Sequence, residues 1–195
     1  MAAFSGERTM MSTLNHYLDQ KREALRARRA RARQDDAGPQ TLAARVTAEG
    51  RSGVRRIRIR DFQVISDSGP DFAGYDLGPT SPELQLGVLG SCLTHVFLIQ
   101  AADRGVPLDS LAVEVTGEID ARAGQPGYEH IPVYPHNIRY TVYLSSPAPA
   151  DAIAALHEAV ERACPILNLL AHPQAIAGVV EHRQTVAAAL GGDEG

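Results

Sequence analysis

Residues Leu84 to Ile99 (LQLGVLGSCLTHVFLI) make a helix-length segment that is apolar nearly all round, with His95 the only titratable side chain besides Cys92. A helix with one apolar stripe can lie on a surface, whereas one that is apolar on most sides must be enclosed. The segment is therefore predicted as a central helix around which the rest of the chain folds. It opens at Ser81-Pro82-Glu83, where serine serves as N-cap, proline suits the first turn and an acid meets the positive helix end. It runs to about Ala102 and stops at Asp103-Arg104-Gly105. No uncharged apolar run reaches the roughly 18 residues of a spanning helix, and MAAFSGERTMMSTLNHYLDQ at the N-terminus lacks the apolar stretch of a signal peptide. The expectation is a cytoplasmic protein with no membrane partner.

The flanking sequence supplies strands and further helices. Residues 8–33 read as a helix with Met11, Leu14, Leu18 and Leu25 near one face, stopped by Asp35-Asp36-Ala37-Gly38-Pro39. Residues 41–47 and 54–65 read as two strands around the turn Glu49-Gly50-Arg51-Ser52-Gly53. In the second, Ile57 and Ile59 alternate with Arg56, Arg58 and Arg60, arginines expected on a solvated face or guarding an edge. Residues 66–80, dense in Gly, Pro and Asp, form a loop. Leu111, Val113 and Val115 mark a strand, and so do Ile138, Tyr140, Val142 and Leu144. A helix over 150–163 is interrupted at Cys164-Pro165, a short helix follows over 166–170, and residues 175–181 read as a last strand. Strands, a buried helix, strands, a helix pair and a strand make an α+β body. The domain division is a basic helical extension over 1–38, a body over 39–190 and a tail over 191–195.

Charge is unevenly placed. Seven of the 19 basic residues fall between Lys21 and Arg33 with one acid among them, leaving 12 basic against 22 acidic residues elsewhere. An acidic body does not favour nucleic acid as a partner. The basic run reads as a solvated helix, or one that packs on the acidic body of a partner subunit.

The chain has two cysteines, Cys92 and Cys164, too few for a thiolate zinc site or a disulfide scaffold. Inside an apolar helix Cys92 is desolvated, which raises a thiol pKa, so reactivity there requires a positive partner; the arginines of 51–60 are the reservoir. Cys164, just before Pro165, stands at a helix start, where the dipole favours thiolate. That contrast suits an attacking sulfur with a resolving partner; two small buried hydrophobes are the plainer reading. His95, about one turn after Cys92, either tunes the thiol or is a hydrogen-bonded core histidine. His130, His136, His157, His172 and His182 show no metal-ligand spacing, and no metal or cofactor is expected.

Two motifs resemble a known family. Asp76-Leu77-Gly78-Pro79-Thr80-Ser81-Pro82-Glu83-Leu84 followed by Leu89-Gly90-Ser91-Cys92-Leu93, and then Ala163-Cys164-Pro165-Ile166, are similar to the signatures of OsmC-like proteins, a superfamily that includes the organic hydroperoxide resistance proteins. Glu49-Gly50-Arg51-Ser52-Gly53 resembles the family's early Gly-Arg turn. The resemblance covers about residues 40–183. It implies antiparallel sheets wrapped around two buried central helices in an intertwined homodimer. It also implies a cofactor-free, antioxidant thiol peroxidase that acts on organic (alkyl or lipid) hydroperoxides and is restored by an external dithiol. By resemblance Cys92 is the peroxidatic thiolate, Cys164 the resolving thiol, Arg51 the group that holds the thiolate, and Glu83 the group that holds Arg51. In the hydroperoxide-resistance branch the acid stands one position farther from the cysteine, where this chain has Pro82. The alternative is a non-catalytic OsmC-like dimer that binds an apolar small molecule, its cysteines structural.

Overall fold

The computed structural model describes residues 13–34 and 38–184. The elements are α1 (Thr13–Gln34), β1 (Arg45–Ala48), β2 (Arg55–Ile59), β3 (Phe62–Ser66), α2 (Ser81–Arg104), β4 (Ser110–Glu118), β5 (His136–Ser145), α3 (Ala150–Ala163) and α4 (Pro165–Ala171). Expectations for residues 8–12, for the stop at Asp35–Ala37 and for the tail 191–195 lie outside the described residues. The architecture is the expected α+β arrangement, with two antiparallel sheets, β1-β2-β3 and β4-β5.

Helix α2 is the hub, with α1, α3, α4 and β4 packed against it. Leu89, Leu93, Phe97 and Ala101 recur every fourth residue, lie on one face and are buried with Leu156 and Val160 of α3. Gly90 allows the helix to press onto the sheet: a Cβ there would stand 3.2 Å from Val115 Cγ2. Enclosure is incomplete, however. Val88 is 46% exposed, and Gly87, Ser91 and His95 on the same side are exposed too. By length and composition alone α2 could cross a membrane, contrary to the expectation from uncharged runs; in the fold it is the helix on which the other elements pack.

The start of α2 is set by the loop before it. Its N-cap is Thr80, one residue before the expected Ser81, because Thr80 Oγ1 accepts the Glu83 N–H at 3.5 Å while Glu83 Oε2 accepts the Thr80 N–H at 2.7 Å. Upstream, Asp67 is fully buried; its carboxylate accepts the N–H groups of Tyr75 at 3.0 Å and Leu77 at 3.2 Å, and its own N–H donates to Pro79 O at 3.4 Å. Gly74 is required in this loop, since a Cβ would fall 1.8 Å from Ser68 O. At the far end Gly105 closes α2 in the left-handed region at φ 71°.

Two strand expectations need correction. The strand expected over 54–65 is two, β2 and β3, reversed by Arg60-Asp61 with Arg60 at φ 54°. Glycine or asparagine normally takes that conformation, so the turn carries no composition signal. Residues 175–181 form no strand: Ile176, Val179 and Val180 are each about nine-tenths exposed, and no strand among the described residues pairs with them. The β4–β5 hairpin pairs Leu111 with Leu144, Val113 with Val142 and Val115 with Tyr140, all on the side facing the core.

The basic helix packs on its own chain. Leu18 of α1 is 2% exposed within the core. Arg22 Nε donates to Ala102 O at 2.7 Å, Arg29 holds the Asp103 carboxylate with both terminal nitrogens at 2.5 and 2.8 Å, and Asn15 Oδ1 accepts the Leu108 N–H at 2.8 Å.

Candidate active site

Cys164 occupies the joint between two helices. It is at once the C-cap of α3 and the N-cap of α4, with Pro165 opening the second helix. Its N–H donates to Val160 O at 2.8 Å, and its carbonyl accepts both the N–H and the side-chain amide of Asn168, at 3.1 and 2.8 Å. With the backbone so fixed, the fully buried thiol points at α2 and its Sγ lies 3.5 Å from Cys92 Sγ. Both cysteines are free. Two sulfurs at 3.5 Å need close by only about 1.5 Å to bond at the usual length near 2.05 Å.

The two thiols differ in access: Cys92, expected to be desolvated inside an apolar helix, is the more open, and Cys164, expected to be favoured as thiolate by a helix start, is the more buried. Cys92 is half-buried and lines an open cavity of about 350 Å³. Leu84, Val88 and Ile166 provide its apolar walls, with Ser91 and His95 beside the sulfur-bearing residue. Cys164 is sealed from solvent, and burial pushes its thiol above the ordinary 9.0 even though the Leu167 and Ile166 N–H groups favour thiolate. Desolvation thus outweighs the helix start.

The structure brings Cys92 and Cys164 together and leaves the other two expected site residues elsewhere in the chain. Arg51 is exposed in the turn between β1 and β2, and among the described residues no arginine lines the Cys92 cavity. Glu83 lies nine residues before Cys92, which at about 100° per residue sets it on the opposite side of α2. Its carboxylate is held below the usual range by the Thr80 hydroxyl and N–H, and it borders a different cavity with Leu86, Gly90 and Thr94.

One group near the thiols had no motif to mark it. Tyr140 Oη donates to Glu161 Oε1 at 2.7 Å and lies 2.7 Å from His157 Nε2, whose ring stacks on Phe97. Burial, then Glu161 and the nearby Cys164 thiol, raise the Tyr140 hydroxyl far above its ordinary value, so it stays protonated. In the sequence Tyr140 reads only as one inward position of a strand. Among the described residues no cluster of His, Cys, Asp or Glu is arranged to hold a metal ion.

Comparison with known proteins points one way. The family model for OsmC-like protein matches residues 74–177, which spans both cysteines. A solved OsmC-like protein from Mycoplasma pneumoniae shares the fold with a TM-score of 0.59 and 18% identity, over 69% of this chain and 89% of that one. An OsmC-like protein of unknown function from Vibrio cholerae does so with a TM-score of 0.52 and 16% identity, over 67% and 94%. No curated protein matches the chain.

Proposed function

Because the chain belongs to the OsmC-like protein family, we propose that it is a cysteine-based peroxidase that reduces organic hydroperoxides. The observation that carries the proposal is the pair of free sulfurs, 72 positions apart in sequence and 3.5 Å apart in space. Cys92 is the peroxidatic residue because it is the thiol open to the cavity. Its thiolate attacks the terminal peroxide oxygen; the S–O bond forms, the O–O bond breaks, and the alkoxide leaves as the alcohol after taking a proton. Cys164 then attacks the Cys92 sulfenic acid, which releases water and leaves a disulfide. An external dithiol reduces that disulfide and is itself oxidised. Apolar walls at Leu84, Val88 and Ile166 favour an alkyl chain on the peroxide over hydrogen peroxide.

Arg51 enters this scheme through a homodimer whose second copy brings it to the Cys92 thiolate. Guanidinium suits that role because it stays charged and donates to sulfur and peroxide oxygen at once. Consumption of cumene hydroperoxide with a dithiol donor tests the assignment. The wild type is expected to turn over and Cys92→Ser to be inert; equal rates refute it. A second reading, non-catalytic binding of an apolar molecule, is favoured by a cavity of about 490 Å³ between β5 and α3, walled by Phe97, Leu144 and Ile153. Equal rates would leave that reading standing.

A further inference from the structure

Among the described residues no arginine lines the Cys92 cavity, yet a histidine does. His95 lies three residues after Cys92 on α2, and the two line the same space. Side chains at that spacing are neighbours on a helix surface, with Cβ atoms roughly 5–6 Å apart. A core histidine is ordinarily satisfied by hydrogen bonds, but His95 is exposed and makes none with the described residues. Its ring is therefore uncommitted beside the half-buried sulfur.

We propose that His95 is the proton acceptor of the Cys92 thiol, and that it returns the same proton to the departing alkoxide. The inference rests on the peroxidase reading for its second half only. The imidazole takes the thiol proton and leaves a thiolate paired with imidazolium. Sulfur attacks the terminal oxygen, the O–O bond breaks, and the imidazolium protonates the alkoxide to alcohol. The histidine ends neutral, Cys92 ends as sulfenic acid, and the proton count closes.

The groups facing His95 are Lys21 from α1 and Cys92 on its own helix, while α4 presents the uncharged Ile166. Partial burial, and then the charge of Lys21, hold His95 below its ordinary 6.5. It is consequently neutral at pH 7, the form that accepts a proton. Lys21 belongs to the basic helix that precedes the family match, so this extension contributes to the setting of the thiol.

The test uses Cys164→Ser, in which Cys92 is the only cysteine of the chain, so that iodoacetamide alkylation against pH reads its thiolate directly. With His95 present the rate is expected to climb through the histidine range and to hold a plateau near neutrality. With His95→Gln added, that step disappears and the rate at pH 7 falls about tenfold. In the otherwise native chain His95→Gln is expected to lower kcat/KM for cumene hydroperoxide by about a hundredfold, with partial rescue by added imidazole. His95 makes no hydrogen bond with the described residues, so the unfolding midpoint should not move. Superimposable alkylation profiles with and without His95 overturn the proposal. A His95-dependent profile in a protein that consumes no peroxide would support the Cys–His pair and refute the peroxidase reading.

Discussion

Cys164 is buried, protonated and 3.5 Å from its partner, and each of those facts bears on rate. Only a thiolate attacks a sulfenic acid, and burial holds this thiol above 9.0. Formation of the disulfide should therefore accelerate as pH rises through 9.0 and beyond, which stopped-flow measurement after a single peroxide addition would reveal. In Cys164→Ser the same addition should leave Cys92 as a sulfenic acid that dimedone traps. Asp67 is the other buried group with a consequence. Burial opposes its charge, but the Ser68, Leu77 and Tyr75 N–H groups and Arg55 hold it below 3.8. A carboxyl depressed in the folded state contributes stability that is present above its ordinary value and is lost as pH falls through the folded value. Asp67→Asn should lower the unfolding midpoint at pH 7 and flatten its decline below about pH 4, as urea titrations across pH would show. Both cysteines were legible because a local motif surrounds each. Asp67 was not, because its partners are backbone amides eight and ten residues away.

The helices were the readable elements, since each carries its own signals: the capping acid and C-terminal glycine of α2, the apolar stripe of α3, and the proline that starts α4. What failed depended on partners. The Arg60-Asp61 reversal shows nothing in composition, and residues 175–181 have strand-like character without a strand to pair with. Helix α1 was read as an appendage, yet its Leu18 is as deeply buried as the residues of α2. Truncation of a buried leucine costs about 2–5 kcal/mol. Leu18→Ala should therefore destabilise the whole protein by about 3 kcal/mol in a single cooperative urea transition. A change under about 1 kcal/mol, or a separate early transition, would mean that α1 is not part of the folding unit.

At the scale of the molecule, one chain leaves much apolar surface open. Phe62 and Val64 on the first sheet, Val88 on α2, and Ile176, Val179 and Val180 beyond α4 are all exposed. Surface of that extent calls for a partner, and the family resemblance implies a second copy. Sedimentation is expected at twice the chain mass of 20.9 kDa, and Val64→Asp with Val179→Asp should shift it to one chain. The exposed faces are also the reason the central helix seemed, from sequence, to need covering on every side. The joining of the two sulfurs is measured most directly by adding one equivalent of cumene hydroperoxide to the reduced protein and recording intact mass and a peptide map. Oxidation should remove two hydrogens and link the peptides that carry Cys92 and Cys164. If both thiols remain open to alkylation after the peroxide has been offered, the peroxidase chemistry is contradicted.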